Sequence, residues 1–73
     1  PTTTISFTLP ENNHVSIAIY DIQGRMISLL VNGNIEAGHH FVSWDASNVS
    51  SGVYFVKMIS TNFVDTQKLM LIK

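Results

Sequence analysis

The sequence contains no cysteine and few charged residues. Without cysteine it can form no disulfide, thiol nucleophile or thiolate metal site. Charged residues make up 12% of the chain, and lysine and arginine together number 4. This excludes the basic surface needed to bind nucleic acid or an anionic membrane. No apolar run approaches the roughly 18 residues of a membrane-spanning helix, and no signal peptide is visible.

The chain is short but apolar enough to fold. Its 73 residues allow one domain, and a hydrophobic fraction of 45% is typical of a globular protein. A domain of this size uses most of its residues for its own core, so the composition favours a binding, structural or signal module over an enzyme. Because the chain begins with Pro1 instead of methionine, we expect residues 1–73 to be one domain of a longer protein.

Apolar and polar residues alternate along most of the chain, which is typical of half-buried β-strands. The alternation predicts strands at residues 4–9, 15–20, 25–31, 39–45, 52–60 and 65–73. Turns or loops are predicted at residues 11–14, 21–24, 32–34, 36–38, 46–51 and 61–63. Connections this short require antiparallel neighbours, so we predict an all-β, Ig-like antiparallel β-sandwich of six to seven strands. The third strand is apolar on both faces, which favours a well-covered position.

Three histidines and one tryptophan are the residues most suggestive of a binding site. His39 and His40 are adjacent on a strand and therefore point to opposite faces, and the number of ligands that a metal needs is missing. Trp44 could stack on a sugar ring, but it shares a face with His40 and Val42, which favours packing in the core. We predict no metal, no cofactor and no catalytic residue.

Two aspartates lie at predicted turns. Asp21 begins the segment Asp-Ile-Gln-Gly-Arg, and one carboxylate is far short of the roughly 6–8 oxygens of a calcium site. A hairpin turn held by the Asp21 side chain is the better interpretation, with Gly24 at a position of positive φ. Asp45 is predicted to begin the next turn by accepting backbone N–H bonds.

Several segments together resemble one known family over almost the whole chain. They are Pro-Thr-Thr-Thr-Ile-Ser-Phe-Thr-Leu-Pro (1–10), Val-Ser-Ile-Ala-Ile-Tyr-Asp-Ile-Gln-Gly-Arg (15–25), Glu-Ala-Gly-His-His (36–40), Val-Ser-Trp-Asp (42–45), Ser-Gly-Val-Tyr-Phe-Val-Lys (51–57) and Lys-Leu-Met-Leu-Ile-Lys (68–73). The sequence resembles the C-terminal sorting domain of proteins exported by the type IX secretion system. It also looks like the Ig-like domain of the flagellar hook-capping protein, which shares the Tyr-Asp-x-x-Gly-Arg and Ser-Gly-x-Tyr segments.

The sorting-domain resemblance implies a non-catalytic signal. Such domains lie at the C-terminus of secreted proteins of certain Gram-negative bacteria and direct them from the periplasm to an outer-membrane translocon. A sortase-like peptidase usually removes the domain, and the cargo is released or joined to surface lipopolysaccharide. The expected partners are therefore the translocon, the peptidase and an upstream cargo domain in the same chain, with the expected location the cell surface or the medium.

The resemblance also implies which residues carry the signal. Its Gly-x-Tyr element falls on Gly52 and Tyr54, and its final lysine-containing apolar strand falls on Lys68, Leu69, Met70, Leu71, Ile72 and Lys73. Lys68 and Lys73 are five residues apart, whereas the family often spaces them by four. The family also often has a proline before Ser-Gly-x-Tyr, which is missing here. Gly52 and Tyr54 can equally be fold residues, and the last strand can be an ordinary edge strand whose lysines prevent aggregation.

Three functions remain open on the sequence. The first is the sorting signal, in which the last strand pairs with or is gripped by an acceptor, or pairs with a second copy of the domain. The second is a structural or assembly module of the hook-cap type. The third is a carbohydrate-binding accessory domain of a secreted hydrolase, which predicts an exposed aromatic strip that includes Trp44.

Overall fold

The computed structural model describes residues 2–73 and consists of β-strands joined by turns and loops. The strands are β1 (Thr2–Leu9), β2 (Asn13–Tyr20), β3 (Met26–Ile35), β4 (Gly38–Asp45), β5 (Gly52–Ser60) and β6 (Val64–Leu71). They form two antiparallel sheets, one with β1 beside β4 and one in the order β3-β2-β5-β6. The prediction of an antiparallel β-sandwich with six to seven strands is confirmed. Across residues 2–73 there is no helix long and apolar enough to span a membrane.

The core lies between the two sheets. On β2 the inward residues Val15, Ile17 and Ile19 are at most 1% exposed, because both sheets cover them. Ile19 belongs to a cluster with residues from β4, β5, β6 and the loop after β4 (Trp44, Ala46, Tyr54 and Leu71). Val15 and Ile17 pack with Leu9 of β1 in a second cluster. The period of two in the sequence therefore marks the buried face correctly.

Strand β3 differs from its prediction in length and position. It continues through residues 32–34, which were predicted as a turn, because they pair with β2 up to Ile35. It also lies at the edge of its sheet, and Leu29 is 50% exposed. The prediction of a well-covered position for this strand is therefore wrong. The register shifts between Val31 and Leu29, and the extra residue, Leu30, packs against both core clusters. The apolar run on both faces therefore reflects a β-bulge that turns Leu30 inward.

Two other boundaries differ because backbone pairing, and not local composition, sets the ends of strands. His14 was predicted in a turn but lies within β2, where it pairs with Asn34 of the long strand β3. The last strand was predicted to reach Lys73 but ends at Leu71. Leu71 pairs with Gly52, the first residue of β5, so no partner residue is left in β5 for the two residues that follow.

The turn between β2 and β3 is held by the Asp21 side chain, as predicted. One carboxylate oxygen, Oδ1, accepts the backbone N–H groups of Gln23 and Arg25, each at 2.9 Å. The other, Oδ2, accepts the Arg25 Nε–H at 2.8 Å. Gly24 has a φ of 82°, which a residue with a side chain rarely adopts. The Arg25 backbone hydrogen bond, with further bonds from Arg25 and Gln23, lowers the pKa of Asp21.

We expect acid to weaken this turn. Because the pKa of Asp21 is lower in the folded than in the unfolded state, its carboxylate stabilises the fold above the unfolded value of about 4. This stabilisation is lost as the pH falls through the folded value. Asp21→Asn should therefore lower the melting temperature at pH 7 and have a smaller effect near pH 3. Melting curves at both pH values test this, and an equal effect at both would contradict it.

Candidate functional site: strand β6 and its supports

Strand β6 lies at the free edge of the four-stranded sheet. In its second half, buried side chains alternate with exposed ones. Leu71 is 5% exposed and belongs to the core, and Leu69 packs against the same cluster. The residues between and after them are exposed, with Met70 at 59% and Ile72 at 82%. We use the name β6 patch for three of the exposed side chains in this segment: Lys68, Met70 and Ile72. A partner can contact the β6 patch without disturbing the core.

The predicted signal residues Gly52 and Tyr54 lie opposite this segment and support it. Gly52 pairs with Leu71, and Tyr54 pairs with Leu69. The Tyr54 ring is 7% exposed and meets the Trp44 ring edge-on, with 5.4 Å between centroids. Its hydroxyl donates a 2.7 Å hydrogen bond to the Ser50 carbonyl oxygen, which fixes the loop before β5. Burial prevents a partner from contacting most of Tyr54, so its role in the structure is to position β6 and this loop.

We expect the Tyr54 hydroxyl to contribute measurably to stability. Tyr54→Phe removes the donor and leaves the partly buried Ser50 carbonyl without it, which should lower the free energy of unfolding by about 1 kcal/mol. Urea denaturation measures this difference. Tyr20→Phe is the matched control, because the Tyr20 hydroxyl makes no hydrogen bond within residues 2–73. Equal changes in the free energy of unfolding for the two substitutions would show that the hydrogen bond to Ser50 does not stabilise the fold.

Lys73 is held against the loop between β4 and β5. Its backbone N–H donates to Ser51 Oγ and its Nζ donates to the Ser47 carbonyl oxygen, both at 3.1 Å. Asp45 begins the same loop, as predicted, by accepting hydrogen bonds from the Ser47 hydroxyl and backbone N–H. These bonds, with the Ser47 hydroxyl the larger cause, lower the pKa of Asp45. Lys73 is therefore part of an ordered corner, unlike the side chains of the β6 patch.

The other candidate residues are placed apart or in the core. His39 lies on the exposed face of β4 and its Nδ1 is 2.8 Å from the Thr8 hydroxyl, whereas the half-buried His40 ring stacks on Phe7. No group of three potential metal ligands occurs in the part of the chain that the structure describes. Trp44 is 3% exposed and packs in the core, so the sugar-stacking hypothesis for this residue is wrong. The core-packing interpretation is confirmed.

The first half of β6 is covered on neither face, whereas the sequence predicts a half-buried strand. Residues 64–68 are all exposed, although they pair with β5. Asp65 and Gln67 lie on the same face as Leu69 and Leu71, which point to the other sheet, yet no strand of that sheet covers them. The sequence does indicate this exposure, because Asp65 and Gln67 are polar residues at positions where the alternation predicts apolar ones.

The family model described as the secretion system C-terminal sorting domain matches residues 1–73. The comparisons with curated proteins and with solved structures gave no match.

Proposed function

This chain belongs to the family of secretion system C-terminal sorting domains and is a sorting signal for type IX secretion, and we propose that the secretion machinery recognises it through the β6 patch. A protein that carries the signal interacts with this machinery and is secreted or reaches the cell surface. One observation supports recognition through the β6 patch. In the second half of β6 the leucines pack towards the core, whereas their neighbours Met70 and Ile72 are exposed.

In this proposal the residues implied by the resemblance have two separate roles. Gly52, Tyr54, Leu69 and Leu71 keep β6 in place, because they are buried or pair with buried residues. Lys68, Met70 and Ile72 present a cation and two flexible or branched apolar groups to the partner. Such a surface provides contact area and one charge without requiring any of the core to open.

We also propose the route and the domain organisation. Residues 1–73 form a single sorting domain attached to an upstream cargo domain, and the domain itself catalyses no reaction. The cargo crosses the periplasm of a Gram-negative bacterium to an outer-membrane translocon, where a sortase-like peptidase removes the domain. The full-length match to the sorting family supports this route.

A reporter fusion tests the proposed function. A periplasmic reporter joined upstream of residues 1–73 is expressed in a bacterium with a type IX system, and the periplasm, cell surface and medium are assayed. We expect the reporter at the surface or in the medium only when it carries residues 1–73. Retention of the folded fusion in the periplasm would contradict the proposed signal.

A further inference from the structure

The sandwich is open along one side. On the other side β3 and β4 approach each other, but no comparable contact joins the backbones of β1 and β6. A groove of about 240 Å³ lies between these two edges. Its lining includes apolar side chains from both sheets and three polar side chains of β6: Ile5, Phe7, Met58, Leu69, Asp65, Gln67 and Lys68. The two-stranded sheet is thus too narrow to cover the four-stranded one.

The edge of β1 borders this groove and lacks the features that usually protect an exposed strand. β1 pairs only with β4, so its other side presents unpaired backbone N–H and C=O groups over eight residues. Residues 2–9 contain no charge and no proline, and their register with β4 is regular. By contrast β3 carries β-bulges, and β6 carries Asp65 and Lys68. Exposed edges normally carry such features because they prevent pairing with other strands.

We propose that the free edge of β1 binds an extended peptide strand of a partner polypeptide, which completes the narrow sheet above β6. A strand added about 4.8 Å from β1 would lie over the exposed face that contains Asp65 and Gln67. Its alternate side chains would point into the groove, where Leu69 and Met58 favour apolar groups. Lys68 lines the same groove but does not pair with Asp65, and Asp65 forms no ion pair within residues 2–73. The unpaired carboxylate favours a lysine or arginine at one inward position of the bound strand.

The shape of the sandwich favours a single strand over a second copy of the domain. Two copies that paired edge to edge through β1 would each bring a β6 that extends beneath the other copy's β1. Both β6 strands would then need the same space below the new sheet. A peptide without a second layer beneath it avoids this clash. The binding uses the edge of β1 and needs no secretion machinery, so it goes beyond the proposed sorting function, although Lys68 of the β6 patch also lines the groove.

A designed peptide tests the proposal on the purified chain. The probe is acetyl-Thr-Val-Thr-Lys-Thr-Val-Thr-Val-amide, which places valine and lysine on one face of a strand. Nuclear magnetic resonance of the ¹⁵N-labelled chain should show saturable shifts in residues 2–9 and around Asp65. Two forms of the peptide, N-methylated at odd or at even positions, direct their methyl groups to opposite edges. One form should bind more than about tenfold more weakly than the other, because only one set of N–H groups faces β1.

A charge exchange tests the inward lysine. Asp65→Asn should lower the affinity for the lysine peptide by about two- to fivefold. It should leave the affinity for a peptide with glutamine in place of lysine unchanged. Glu36→Gln, which removes a carboxylate from the exposed turn before β4, is the matched control and should change neither affinity. The proposal is wrong if no saturable shift occurs, if both N-methylated peptides bind equally, or if shifts centre on β3 or the outer edge of β6. Concentration-dependent shifts of β1 without peptide would instead assign the edge to a second copy.

Discussion

We expect Trp44→Ala to lower the free energy of unfolding, measured by urea denaturation, by about 3–5 kcal/mol. Trp44 is 3% exposed and is the only tryptophan, and its ring meets Tyr54 in the cluster that joins both sheets. Its removal leaves a cavity that the small core cannot fill. Since the core of a domain of this size rarely supplies more than about 3–5 kcal/mol, the variant should be partly unfolded at 37 °C.

Phe41→Ala is the control on the same strand. Phe41 is 75% exposed, so its removal should change the free energy of unfolding by no more than about 0.5 kcal/mol. A similar decrease in the free energy of unfolding for both variants would show that Trp44 does not join the sheets as described. In the export assay Trp44→Ala should also fail, because the proposed signal requires β6 to be held in place.

We expect removal of residues 68–73 to abolish export, mainly by unfolding the domain. The deletion takes away Leu71, whose loss from the core alone costs about 2–5 kcal/mol, together with Leu69 and half of β6. Circular dichroism of the shortened chain should show no cooperative melting transition. The export defect of this deletion therefore does not by itself identify the residues that the machinery reads.

A shorter deletion separates these effects. Removal of residues 72–73 leaves β6 complete, since the strand ends at Leu71. It breaks only the bonds of Lys73 to Ser51 and Ser47, so a cooperative transition should remain at a slightly lower temperature. A folded 1–67 chain, or an unfolded 1–71 chain, would contradict the division of β6 into a buried and an exposed part.

The sequence predicts the sheets and the core well because period-two alternation directly reports which side chains are inward. Val15, Ile17 and Ile19 alternate with smaller residues and are buried, and Trp44 is buried on the face it shares with Val42. The Asp21 turn is predictable for a similar reason, since its hydrogen bonds are made within five residues.

Features that depend on distant strands are not predictable in this way. The bulge at Leu30 arises from the register with β2, and residues 32–34 become a strand only because β2 is long enough to pair with them. For the candidate site, alternation separates the leucines of β6 from their neighbours. It does not show which face the other sheet covers, because the width of that sheet is a property of the assembled fold.

The most direct test of the account is export of a folded domain whose β6 patch has been changed. The variant carries Lys68→Ser, Met70→Thr and Ile72→Thr, all at exposed positions. We expect its melting temperature to stay within a few degrees of the wild type, since about 1 kcal/mol corresponds to roughly 4–8 °C in a domain of this size.

The control variant changes three exposed apolar residues in β3 and in the turn before it, at the other edge of the same sheet: Ile22→Ser, Met26→Thr and Leu29→Thr. The measurement is the fraction of reporter that reaches the cell surface or medium for each folded fusion. The account predicts that the control is exported like the wild type, while the β6 patch variant stays in the periplasm. Normal export of the folded β6 patch variant would contradict it.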